Sequence, residues 1–136
     1  MINFNYETDF LLAAEASISK WITEVIATEG CTLEEVNYIF CDDEYLHKIN
    51  VEFLQHDDLT DVISFDYCVG KHIQGDIFIS VERVADNAKD FNVSFNDELC
   101  RVLVHGVLHY CGYKDKTESD AKLMRAKEDF YLSKRV

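Results

Sequence analysis

The sequence predicts an α+β fold, a single domain in which a small mixed β-sheet is covered by helices. Three observations lead there. Strand-like windows fall in the first two-thirds of the chain, helical spacing dominates the end, and nothing interrupts the 136 residues: there is no proline, only five glycines, and no repeat or low-complexity tract. A chain of this length with 48% hydrophobic residues carries enough apolar surface for one core. Residues 1–136 are therefore expected to form one domain.

Residues 2–6 read as a short edge strand. From Thr8 to Glu29, apolar residues at Leu11, Ile18, Trp21, Ile22, Val25 and Ile26 keep a helical spacing, with Thr8 as cap and Gly30 just past the end. Val36, Tyr38 and Phe40 alternate in a β-rich window, after which Asp42 or Asp43 caps a short helix burying Leu46, Ile49 and Phe53. "LQHDDLTD" is turn-like, and "VISFDY" and "GDIFISV" read as two strands of a meander. Val81 to Phe91 is expected to be helical. Ser94 with Asp97, and Thr117 with Asp120, each resemble the start signal of a further helix, the last one burying Leu123, Ala126, Phe130 and Leu132.

Composition narrows the function. The five cysteines are odd in number, lie in or beside apolar runs and form no C-x-x-C pair, which points to reduced core thiols. No secretory-type leader opens the chain and no apolar run reaches about 18 residues, so a soluble cytoplasmic protein without a membrane partner is expected. A net charge of −13 argues against a broad, sequence-independent grip on DNA or RNA, because phosphates are repelled over most of the surface. A local basic or metal-charged cleft stays compatible with it.

The chemistry concentrates in "VLVHGVLHYCGYKDK", residues 102–116. His105 and His109 are four apart in an otherwise apolar helix and so project from one face, a spacing suited to chelating a metal. This makes it a metal-binding helix near the C-terminus. Gly106 costs about 1 kcal/mol against alanine inside a helix, so its presence implies a close approach by a substrate or a packed strand. Gly112 suits a left-handed cap that turns the chain back and lets Asp115 serve as third ligand, leaving a position open for water. Cys111 lies about 200° around the helix from His109 and reads as core filler. The peptidase signature H-E-x-x-H has its base where this chain has Gly106.

"HGVLHYCGYKD", His105 to Asp115, resembles the hallmark H-G-x-L-H-x-x-G-Y-D-H of the YbeY family of metal-dependent endoribonucleases. Lys114 and Asp115 depart from it, Asp115 standing where the family has its third metal-binding histidine. "NVEFLQHDDLTDVISF" is similar to a second family segment at Asn50, Asp57, Thr60, Asp61, Val62, Ser64 and Phe65, with Leu54, His56 and Leu59 in place of an arginine, a lysine and a proline. "GDIFIS" and the pair Met124 and Glu128 also resemble the family in order and spacing.

The resemblance implies one Zn2+ per chain, held by His105, His109 and Asp115. It implies cleavage of single-stranded RNA in ribosomal RNA maturation, notably at the 16S 3′ end, and in ribosome quality control, with the ribosome or its proteins as partners. Asp115 is a competent zinc ligand, but its charge lowers the Lewis acidity of the site. His56 is a candidate to replace part of the family arginine's work as cation or proton donor. Asp61, like Asp57, is a candidate to orient an imidazole or activate water. The cleft is expected beside Gly106. A non-catalytic, metal-stabilised assembly factor, a hydrolase of another bond and, less favoured, a non-haem iron site stay open as alternatives.

Overall fold

The computed structural model describes residues 1–55 and 60–135. Its described elements run β1 (Ile2–Tyr6), α1 (Glu15–Thr28), β2 (Thr32–Cys41), α2 (Asp43–Leu54), β3 (Val62–Asp66), β4 (His72–Ser80), α3 (Val81–Asp90), α4 (Phe95–Tyr110) and α5 (Glu118–Leu132). The four strands form one mixed sheet in the order β1-β2-β4-β3. β1 and β2 are parallel, as are β2 and β4, and β3 returns antiparallel to β4 with Ser64 opposite Ile77. This is the α+β architecture expected, with the meander in place and β1 at an edge.

Alternation along the strands sorts the two faces. Val36, Tyr38 and Phe40 on β2, with Ile73, Ile77 and Ile79 on β4, are fully buried on the side that carries α1 and α4. The other face packs Cys41, Ile63 and Phe78 against Leu46 and Ile49 of α2, and also carries a polar ladder in which Asn37 Nδ2 donates to Asp76 at 2.9 Å and Asn3 Nδ2 donates to Asn37 at 2.9 Å. α4 is enclosed nearly all round, touching the sheet, α1, α3 and α5. Its buried faces are accordingly apolar, while Glu98, Arg101, His105 and His109, spaced three or four apart, form one polar stripe.

Several expectations are corrected. Helix α1 begins at Glu15 rather than Thr8, because Ala14 takes a left-handed φ of 59° and Phe10 is drawn out to pack its ring 5.2 Å from Phe40. Leu11 is consequently exposed, and Leu12, whose N–H donates to the Tyr6 hydroxyl, is buried instead. Phe53 lies out of the core, edge-on to Phe65. On α5 the buried stripe is Met124, Glu128 and Tyr131, while Leu123, Ala126 and Phe130 face outward. A helix whose apolar residues do not gather on one face can present either stripe, and the choice follows from Glu128 meeting polar groups on α4.

The capping expectations hold at Asp42, Ser94 and Thr117, whose side chains accept from Tyr45 N, Asp97 N and Asp120 N. All five cysteines are free thiols. Among the described residues no helix is long and apolar enough to cross a membrane.

Candidate metal centre

The site is built at the end of α4, where a helix stop and a tight return bring three side chains together. Gly112 has φ of +108°, a conformation that excludes most L side chains. Gly112 N donates to His109 O at 3.0 Å and Tyr113 N to Leu108 O at 3.1 Å, the paired bonds of a Schellman cap. The return places Asp115 beside the two imidazoles. Asp115 Oδ2 lies 3.5 Å from His105 Nε2 and 3.3 Å from His109 Nε2, and one ligand atom of each of the three residues lies within 4.8 Å of the others.

The donor set suits a small divalent ion. Tetrahedral bonds of about 2.0 to 2.1 Å put neighbouring ligand atoms about 3.3 to 3.4 Å apart, close to the 3.5 and 3.3 Å that separate Asp115 from His105 and His109. The outward nitrogen of each ring is already committed. His105 Nδ1 meets Glu128 Oε2 at 2.6 Å, and His109 Nδ1 meets the Tyr113 carbonyl at 2.9 Å. Both acceptors require an N–H at Nδ1, which leaves a lone pair on each Nε2 pointing towards Asp115. The rings stand at 85° to each other with centroids 4.5 Å apart, so they present two separate lone pairs rather than a stack.

Electrostatics tie the site to α5. Glu128, 5% exposed, divides its carboxylate between His105 and Arg101, whose Nη1 donates to Oε1 at 2.8 Å; Arg101 Nη2 also donates to Asp129 at 2.7 Å. Burial alone disfavours protonated His105, but Glu128 and the charges of Asp115 and Asp61 outweigh it and raise its pKa above the ordinary imidazole value. Burial likewise favours neutral Glu128, yet hydrogen bonds from His105 and Arg101 hold its pKa below the usual carboxylate range.

Beside His105 opens a cavity of about 250 Å³ between the start of β3, α4 and α5, lined by Asp61, Glu98, Arg101, His105, Arg125 and Glu128 among others. Asp61 reaches this cavity, but its carboxylate receives Asn87 at 3.4 Å and orients neither imidazole; Glu128 and the Tyr113 carbonyl do that. His56 and Asp57 lie outside the described residues. Gly106 turns away from the cavity: a Cβ built there would meet Ile77 Cδ1 at 2.7 Å, so the close approach comes from strand β4 and the cleft is beside His105 instead. Cys111 packs against the core, and burial pushes its thiol far up in pKa, in keeping with filler.

Glu128 and Arg101 were not legible as site residues from helical periodicity. The available signal was a carboxylate four residues after Met124 and three before Tyr131, inside an apolar stripe, where an unpaired charge would be costly.

Fold and site together define a small α+β domain carrying a two-histidine, one-carboxylate metal-binding group at the end of a buried helix. Residues 3–135 match the family model described as Endoribonuclease YbeY. The chain is 69% identical over 129 residues to an Endoribonuclease YbeY of Flavobacterium johnsoniae, covering 95% of this chain and 93% of that protein. It is 60% identical to the Endoribonuclease YbeY of Flavobacterium psychrophilum, covering 95% and 92%. The solution structure of TM1509 from Thermotoga maritima superposes with a TM-score of 0.72 at 27% identity, covering 98% of this chain and 87% of that one. The chain belongs to the YbeY family.

Proposed function

We propose that the chain is a single-strand-specific, metal-dependent endoribonuclease that acts in ribosomal RNA processing, at the 16S 3′ end, and in ribosome quality control in the cytoplasm. The carrying observation is the convergence of two imidazole lone pairs and one carboxylate beside an accessible cavity, in a chain whose relatives are named endoribonucleases. His105, His109 and Asp115 would hold one zinc ion, which supplies Lewis-acid charge to a phosphate and acidity to a water.

The chain's own residues do the rest. Glu128 and the Tyr113 carbonyl keep the Nδ1 protons in place and so keep both Nε2 atoms available. Asp61, which lines the same cavity, is the proposed acceptor for the proton of a water or ribose 2′-OH, and His56 is the proposed cation or proton donor. Single-stranded RNA is the proposed substrate because its unpaired bases are free to stack on side chains and expose their edges.

The test is metal content and cleavage measured on the same preparations of the native chain, His105→Ala and Asp115→Ala. About one zinc per native chain, lost in both variants together with cleavage of single-stranded RNA, is the expected result. A native chain that holds zinc yet leaves single-stranded RNA intact while still binding ribosomal particles would support an assembly factor instead. Leu54 in place of the family arginine is the observation that favours that second reading.

A further inference from the structure

The cavity beside His105 poses an electrostatic problem for an RNA nuclease. Glu128 and Glu98, only 5% and 6% exposed, put carboxylates in its walls, and Asp61 adds a third. A phosphate entering there is repelled unless a cation meets it, and the chain as a whole carries a net charge of −13. Two arginines line the cavity. Arg101 is spent, since it is bonded to Glu128 at 2.8 Å and to Asp129 at 2.7 Å and is only 19% exposed at its side chain.

Arg125 is different. It stands on α5 three residues before Glu128, on the same side of the helix, and its guanidinium has no hydrogen bond or ion pair among the described residues. Glu98 acts on it only as a more distant charge. An exposed arginine with a free fork of N–H groups at the mouth of a cleft can take two phosphate oxygens at once, a geometry leucine at position 54 cannot offer.

We propose that Arg125 is the phosphate-binding residue of this cleft, gripping the RNA backbone next to the scissile phosphate and standing in for the cation missing at Leu54. The inference rests on the RNA-cleaving reading above and adds to it the residue that binds the substrate backbone. Arg101, by contrast, serves the site only by holding Glu128.

The experiment compares native protein, Arg125→Gln and Arg125→Lys, all zinc-loaded, for binding of a fluorescent single-stranded oligoribonucleotide over a range of salt concentrations, with zinc content and melting temperature recorded for each. Arg125→Gln should bind about tenfold more weakly, and its slope of log affinity against log salt should be shallower by about 0.7, the value for one lost phosphate contact on a single strand. Arg125→Lys should recover the slope and part of the affinity. Equal affinity and slope in native protein and Arg125→Gln would overturn the role of Arg125 alone, as would loss of zinc or of thermal stability in that variant. Native protein that neither binds nor cleaves the RNA would overturn the nuclease reading, and this one with it.

Discussion

Replacing Glu128 by glutamine tests the centre where the structure is most exacting. The two carboxylate oxygens serve two donors, Arg101 Nη1 at 2.8 Å and His105 Nδ1 at 2.6 Å. An amide of the same shape has one oxygen and one NH2, so one of these contacts must become donor against donor. If the oxygen stays with the charged Arg101, the NH2 faces His105, and the ring can accept only by moving its proton to Nε2. That is the nitrogen aimed at Asp115. Leaving a buried donor unpaired costs about 1 to 3 kcal/mol, or about 5- to 150-fold in an equilibrium, which brackets the 10- to 100-fold seen when partners behind metal ligands are removed. Glu128→Gln should therefore bind zinc about 10- to 100-fold more weakly than native protein in a chelator competition. 15N-edited NMR should show the His105 proton leaving Nδ1. A folded variant whose zinc affinity stays within about twofold of native, with the tautomer unchanged, would refute the reasoning.

Other expectations follow from the same geometry. Gly75→Ala would drive a Cβ into the Tyr110 hydroxyl and to 2.5 Å from the Phe65 carbonyl, part of the sheet backbone, and would disturb the bond between them; urea unfolding should show a loss of about 2 to 4 kcal/mol. Gly106→Ala gains about 1 kcal/mol of helix propensity against about 1 to 3 kcal/mol of overpacking on Ile77, so a loss of at most about 2 kcal/mol is expected, with zinc binding retained because that face looks at the sheet. Burial acts to raise the Glu29 pKa, but hydrogen bonds from Tyr113 and Tyr131 and the charge of Lys127 overcome it and hold the pKa below the ordinary glutamate value. The stability it contributes is complete above its unfolded pKa and lost as pH falls through the folded value, so Glu29→Gln should flatten the fall in urea midpoint on acidification below about pH 5. Asp115→His replaces an anionic ligand by a neutral one, and the acid limb of the RNA-cleavage profile should move to lower pH while zinc is kept.

Local chemistry accounts for what could be read without coordinates. Caps at Asp42, Ser94 and Thr117 act within three residues, strand alternation in "VISFDY" and "GDIFIS" is set by the pleat, and a histidine pair four apart shares a helix face wherever the helix lies. The turn at Gly112 that carries Asp115 back is likewise local, because it follows from one residue free to adopt positive φ. Tertiary structure decided the rest. Phe10 left the expected first helix for an aromatic cluster with Phe40, which is distant in sequence. Gly106 met strand β4 rather than a substrate, and α5 turned Met124, Glu128 and Tyr131 inward in place of Leu123 and Phe130. The orienting of His105 by Glu128 spans 23 residues, and the Arg101 bond that keeps Glu128 charged spans 27. Such contacts depend on how helices dock, and periodicity names the faces of a helix without naming the neighbour each one meets.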